Sequence, residues 1–151
     1  MRKTPLKRTA GLKRGGSINP RNKDRRAREF ARAYGCEDRV LFVKHGLRCV
    51  APYCYRTTCD NAHIEGGGMG RKAHYTKIVP LCSGLAGHHA QFHELGSKAA
   101  FEARHRERDR DFDLDVEAEW TETMWQTCGP EFVEHHRRLA AIETIGPDME
   151  V

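Results

Sequence analysis

A stretch in the middle of the chain is dense in cysteine and histidine, the side chains that bind zinc and related ions. Structural zinc takes four Cys or His ligands in a tetrahedron, usually as two close pairs from two turns. A catalytic divalent ion uses fewer protein ligands and leaves positions open for water and substrate. The stretch holds enough ligands for both kinds of site, and they are Cys49, Cys54, Cys59, His63, Cys82, His88, His89 and His93.

Two close pairs in this stretch fit a structural zinc site: Cys49 with Cys54, and Cys82 with His88. Cys59 competes with Cys54 for one position, because the same four-residue gap separates it from its neighbouring cysteine. We favour Cys54, since Cys59 runs directly into the strand that carries His63. A zinc ion here would stabilise a small centre that has few large apolar residues.

The three histidines at the end of the stretch divide by helix geometry. His89 and His93 are four residues apart, so they lie on one face of a helix and suit a shared divalent ion. His88 points about a quarter-turn away, so one short helix can serve both metals. His63 lies at the end of a predicted strand, and its neutral imidazole is a natural base for activating water.

The elements that must position these residues are short and separated by turn signals. We predict a strand at 60–64, a glycine-rich loop at 66–70, a strand at 77–81 and a helix at 87–94 that Gly96 ends. This order of strand, loop, strand and helix predicts an α+β core at 47–96.

Helices are expected on both sides of that core. Residues 21–34 form a basic helix that Gly35 ends, and 38–45 form a short apolar element, within a 21–46 segment. The 97–151 segment is predicted to be helical, with a last helix at 131–143 that begins after Pro130. Within 114–126, a buried stripe is predicted from Leu114, Val116, Trp120, Met124 and Trp125.

Charge is distributed unevenly along the chain. Residues 1–30 hold eleven Lys/Arg and two acids, a net charge of +9, whereas the whole chain is +5, so the remainder carries −4. We predict that residues 1–20 are a disordered basic arm that neutralises nucleic-acid phosphates. The residues expected to contact DNA there, and beside the glycine-rich loop, are Lys3, Lys7, Arg8, Lys13, Arg14, Arg71 and Lys72.

The sequence also indicates where the protein works. We found no apolar run close to the ~18–20 residues that span a membrane, and the basic N-terminus lacks the apolar segment of a secretory signal. We therefore expect a cytoplasmic protein with no membrane partner. In that compartment the six cysteines are expected to serve as metal ligands rather than to form disulfides, except that Cys36 and Cys128 are expected to be unliganded thiols.

Taken together, the motifs resemble the HNH nucleases, also called ββα-metal or His-Me finger nucleases. They are most similar to phage-encoded HNH proteins of the recombination-enhancement, RecA-dependent type. The resemblance covers roughly residues 1–30 and 47–105. The matching pieces are Lys3-Thr4-Pro5-Leu6-Lys7-Arg8, Cys49-x4-Cys54, Ala62-His63-Ile64, Gly68-Met69-Gly70-x-Lys72-Ala73-His74, Val79-Pro80-Leu81-Cys82 and His88-His89-x3-His93.

The resemblance implies a zinc-stabilised ββα-metal core with His63 as the general base. It implies a magnesium or other divalent ion on His89 and His93, and structural zinc on Cys49, Cys54, Cys82 and His88. It further implies DNA as substrate, a RecA-type recombinase filament as partner, and a bacterial host cell as location if the chain is phage-encoded.

The chain departs from the family pattern at three places. Ala62 stands where the family usually has an Asp or His that helps to bind the metal. Either two histidines with water and phosphate oxygens bind the ion, or His63 is itself a ligand and another group is the base. Tyr75 replaces a usual carboxylate, for which His74 is the candidate substitute. Five residues rather than two separate Cys82 from His88, and their two glycines allow a bulge.

The leading hypothesis is a metal-dependent DNA endonuclease that uses the basic arm for affinity and the central motifs for hydrolysis. A second hypothesis is a catalytically inactive, zinc-stabilised DNA-binding accessory of recombination, which Ala62 favours.

Overall fold

The described part of the chain has an α+β fold with one small sheet and five α-helices. The structure is a computed structural model that describes residues 20–66 and 72–144. The elements are α1 (Pro20–Tyr34), α2 (Glu37–His45), β1 (Cys59–His63), a 3₁₀ turn (Tyr75–Lys77), β2 (Ile78–Cys82), α3 (His88–Leu95), α4 (Lys98–His105) and α5 (Leu114–Thr144). Residues 1–19 of the predicted arm lie outside the described residues, as do Lys3, Lys7, Arg8, Lys13, Arg14 and Arg71, and Pro20 is the first residue of α1.

The two strands form an antiparallel pair in which Cys59 is opposite Cys82 and His63 is opposite Ile78. Both strands begin within one residue of their predicted starts, which confirms the predicted order of strand, strand and helix. Most of the predicted glycine-rich loop at 66–70 lies outside the described residues. Every residue of β2 is buried. This burial on both faces explains why β2 reads as a continuous apolar run rather than an alternating one.

The core is divided into two clusters. One contains Val79, Leu81, Phe92, Phe101 and Leu114, and so joins β2 to α3, α4 and the start of α5. The other contains Phe42, Val43, Leu47, Ile78 and Val133, and joins α2 and β2 to the second half of α5. The sheet is therefore held between helices that come from both ends of the described chain.

Glycine ends two helices as predicted. Gly35 follows α1 with φ +80°, and Gly96 follows α3 with φ +70°, the left-handed conformation that glycine adopts at little cost. Gly96 N–H donates to the Phe92 carbonyl at 3.2 Å, so the last turn of α3 closes on itself. Gly96 therefore sets the C-terminal end of α3, the helix that carries the three histidines.

The prediction of a separate last helix after Pro130 is wrong. α5 is one helix of 31 residues with Pro130 inside it. Pro130 cannot donate a backbone hydrogen bond, but residues on both sides of it pack on α2. The ring of Phe42 lies 5.8 Å from that of Trp125 and 5.6 Å from that of Phe132, so tertiary packing holds the two halves in line.

The predicted buried stripe on this helix is partly wrong. Leu114 is fully buried, but Val116 is 61% exposed and Trp120 is 39% exposed. Ala118 and Thr121 are buried instead, because they follow Leu114 by four and seven residues and share its face. Side-chain size was a poor guide here, since the packed face holds small residues.

Among the described residues, no helix is both long and apolar enough to cross a membrane.

Candidate functional site

Four predicted zinc ligands come together beside the sheet. The potential ligand atoms of Cys49, Cys54, Cys82 and His88 all lie within 4.8 Å of one another. His88 Nδ1 lies 3.4 Å from Cys49 Sγ and 3.3 Å from Cys82 Sγ. In a tetrahedral zinc site, bond lengths near 2.3 Å for sulfur and 2.0 Å for nitrogen place these atoms about 3.6 Å apart. The group can therefore hold a metal ion such as zinc.

A tight turn supplies the first ligand pair. Cys54 N–H donates to the Ala51 carbonyl at 3.0 Å, and Tyr53 has a φ of 59°, which is unusual for a residue other than glycine. Val50 N–H donates to the Pro80 carbonyl at 3.0 Å and so ties the turn to β2. The turn is therefore placed against the strand that carries the second pair.

The insertion between Cys82 and His88 bulges outward, as predicted. Gly84 has φ +96°, Leu85 is fully exposed, and a side chain on Gly87 would meet the Cys82 carbonyl at 2.3 Å. His88 N–H donates to Cys82 Sγ at 3.2 Å, which closes the loop on the ligand itself. Two glycines therefore allow the longer spacing without separating the ligands.

Cys59 is not part of this group among the described residues. It is buried in β1, and its thiol donates to the Arg56 carbonyl at 3.7 Å. Burial raises the pKa of Cys59 to about 12 and also raises that of Cys49. A buried thiol is protonated unless a cation replaces the proton, so metal binding by Cys49 must release protons and depend on pH.

His63 lies in a separate cleft of about 780 Å³ that α1, β1 and α3 line together. Its Nε2 lies 2.7 Å from the Ala33 carbonyl oxygen. A carbonyl only accepts, so Nε2 carries the hydrogen and Nδ1 keeps the lone pair. Burial lowers the pKa of His63. The hydrogen bond to the Ala33 carbonyl acts in the opposite direction, and the charges of Lys72, Arg39 and Arg32 lower the pKa further. The ring is thus neutral near physiological pH and can take up a proton at Nδ1.

His89 and His93 line the same cleft and converge through their Nε2 atoms, which lie 3.1 Å apart. Two nitrogens that bind one ion at about 2.1 Å and near a right angle lie about 3 Å apart. The pair therefore fits adjacent positions on one divalent ion. Among residues 20–66 and 72–144, no third cysteine, histidine or carboxylate lies with this pair as tightly as the Cys/His group is clustered.

Asp60 contacts the histidine pair, and the sequence analysis did not predict this contact. Its Oδ2 lies 3.1 Å from His89 Nδ1, so the carboxylate accepts from Nδ1 and leaves the Nε2 lone pair for a metal. A carboxylate behind a histidine ligand is a common arrangement that fixes the ring and increases its basicity. The available signal was position, since Asp60 and Ala62 are two apart in β1 and lie on one face of the strand.

Ala62 itself contributes only packing. It is completely buried in the cluster that contains Phe92 and Val79. Asp60 is the acidic residue on the same face of the strand, and it contacts His89 of the histidine pair. Ala62 is therefore a core residue and is not among the described residues that line the cleft.

Lys72 is placed at the edge of the cleft and His74 is not. Lys72 Nζ contacts the hydroxyl of Tyr34 and lies 4.5 Å from the centre of its ring, and the Tyr34 ring packs edge-on against His63 at 5.1 Å. His74 instead bonds Thr76 Oγ1 through Nδ1 at 3.0 Å and is not among the described residues that line the cleft. The structure gives His74 a local capping contact rather than a place beside the metal pair.

In comparisons with known proteins, no family model, curated protein or solved structure matches the chain.

Proposed function

We propose that the protein is a metal-dependent DNA endonuclease of the HNH type. One observation carries the proposal: His89 and His93 converge at 3.1 Å in the cleft that the neutral base His63 also lines. Base and metal ligands in one cleft are the parts that phosphodiester hydrolysis requires. The succession of β1, β2 and α3, with a Cys/His group beside it, supports a zinc-stabilised ββα-metal core.

In this proposal His63 Nδ1 takes the proton of a water molecule as its oxygen attacks phosphorus. The bond from phosphorus to the leaving oxygen then breaks, and that oxygen takes a proton from solvent. A magnesium or similar ion, when bound, stabilises the charge that develops on the phosphate and the leaving oxygen. His89 and His93 hold it, Asp60 orients His89, and the Ala33 carbonyl keeps His63 in the required tautomer.

DNA is the proposed substrate because the cleft has cationic surroundings. Lys72 lines it, and Arg32 Nη2 donates to the Lys72 carbonyl at 2.7 Å, which places a second cation beside it. The predicted contacts Lys3, Lys7, Arg8, Lys13, Arg14 and Arg71 extend this basic surface along the sequence. Such contacts give affinity without base specificity, so a RecA-type filament on DNA is the proposed source of targeting.

Ala62 favours a second candidate function, a zinc-stabilised DNA-binding accessory without nuclease activity. Its buried methyl group supplies no metal ligand, so the ion would depend on two histidines, water and phosphate oxygens. The two candidates share DNA binding and differ in whether divalent ions support strand cleavage.

A plasmid-nicking assay separates them. Zinc-loaded protein is mixed with supercoiled plasmid and magnesium or manganese, with and without a recombinase filament. We expect nicking by the wild type and its loss in His63→Ala and His89→Ala. The matched control is His135→Ala, which removes an exposed histidine from α5 and should nick normally. Absence of nicking by the wild type under all conditions, or equal nicking by the cleft variants, would refute the nuclease.

A further inference from the structure

The basic helix α1 has almost no packing partner along most of its length. Residues 22–32 are all exposed, and the contacts that the described part of the helix makes with the body come from its last turn. Phe30 is the sole large apolar residue in that exposed segment, so α1 lacks the broad apolar face that a membrane or a partner helix would cover. A polar helix of 15 residues gains little from burial and is marginally stable alone. Its exposed surface therefore fits a partner that binds charge.

The arginines of α1 form an ordered stripe. Arg25, Arg28 and Arg32 follow one another at three- and four-residue steps, so they lie on one face of the helix. The stripe is about 10 Å long, which matches the axial rise of about three phosphates on one DNA strand. Lys23 and Arg26 lie on the opposite side of α1. Together they carry the same charge as Arg25 and Arg28 but do not belong to the stripe.

The last turn of α1 connects the stripe to the cleft. Arg32, at the end of the stripe, donates to the Lys72 carbonyl at 2.7 Å, and the next residue, Ala33, accepts from His63 at 2.7 Å. A strand that follows the stripe is thereby directed towards the cleft edge. Glu29 pairs with Arg25 at 3.7 Å, and this pair is exposed and weak enough for phosphate to replace it.

We propose that the Arg25, Arg28 and Arg32 face of α1 docks along the backbone of duplex DNA and leads one strand into the cleft. The docking does not require cleavage, although its direction towards His63 rests on the proposed function. Because the arginines contact phosphates, the interaction is independent of sequence and depends on salt.

The test is the salt dependence of duplex binding by the full chain, with zinc bound and no other divalent ion added. Each phosphate contact contributes about 0.9 to the slope of log K against log salt. We expect Arg25→Gln with Arg28→Gln to reduce the slope by about 2. The control, Lys23→Gln with Arg26→Gln, removes the same charge from the same helix and should reduce it by less than half as much. Glutamine is a good helix former, and circular dichroism checks that α1 persists.

An equal effect of the two double variants would overturn the proposal, as would no effect of the stripe variant or an effect seen only with single-stranded DNA. The double variant Arg25→Lys with Arg28→Lys keeps the charge and should keep the slope of log K against log salt. It tests the role of charge even if the glutamine variant loses helical structure. A stripe-dependent slope in a protein that never nicks DNA supports docking and removes the nuclease. If the protein nicks DNA but the two double variants have the same salt slope, the nuclease is supported and the docking is refuted.

Discussion

Asp60 Oδ2 lies 3.1 Å from His89 Nδ1, which makes a strand carboxylate the support of a helix histidine. The bond fixes the ring so that its other nitrogen meets His93 Nε2 at 3.1 Å. The two contacts form a short chain from β1 through His89 to the neighbouring histidine. They place the Asp60 carboxylate next to His89, whereas Ala62 in the same strand is buried in the core.

The first prediction concerns this support. Asp60→Asn keeps the size of the side chain but removes the charge that holds His89, so we expect divalent-ion affinity to fall about 10- to 100-fold. Calorimetric titration of zinc-loaded protein with manganese measures it. Asp111→Asn, in the exposed turn before α5, is the control and should leave the affinity unchanged. Equal affinities for Asp60→Asn and wild type would remove Asp60 from the site.

The second prediction concerns pH. Burial lowers the pKa of His63 below its ordinary value of 6.5, and the neutral ring is the base. The nicking rate should therefore be constant above that value and fall as pH decreases through a midpoint below it. Single-turnover rates at saturating ion and DNA, between about pH 5 and 8, give the profile.

Lys72 offers a check on the assignment of that midpoint. Its positive charge contributes to the lowered pKa of His63, so Lys72→Met should move the acid limb to higher pH. Lys44→Met, on an exposed site of α2, should leave it in place. If both substitutions move the acid limb of the pH profile equally, or if neither moves it, the limb does not report the titration of His63.

The third prediction concerns the Cys/His group. We expect about one zinc per chain by elemental analysis. Cys54→Ser should lose the metal and lower the free energy of unfolding by more than about 3 kcal/mol, because binding and folding are coupled. Cys59→Ala should keep the metal, since its buried thiol is outside the group. If Cys54→Ser keeps zinc and Cys59→Ala loses it, then Cys59 is the zinc ligand and Cys54 is not.

The fourth prediction concerns the continuity of α5. Pro130→Ala restores a backbone donor inside the helix and should raise the free energy of unfolding by about 1–3 kcal/mol. Gly129→Ala should lower it by about 1–3 kcal/mol, because the new methyl carbon would meet the Trp125 ring at 2.1 Å. Urea unfolding measures both. Effects of the same sign would contradict a continuous helix packed in this way.

Local signals in the sequence were sufficient for the small elements. Turn signals around β1, the apolar run of β2 and the glycine stop after α3 predicted these elements to within a residue or so, because short elements are set by neighbouring residues. The same signals failed on α5. Pro130 is a strong local signal for a helix start, but the packing of Trp125 and Phe132 on Phe42 outweighed it.

The sequence by itself determined which side chains were available as ligands and that His88 points away from His89 and His93, since both follow from residue type and helix period. Only the tertiary structure decided which atoms meet. The choice of Cys54 over Cys59 depends on how the 49–54 turn is tied to β2, and the role of Asp60 depends on how α3 crosses β1. The link from α1 to His63 is likewise a contact between residues 30 positions apart. Such contacts arise from burial and packing across the whole chain, and local spacing does not encode them.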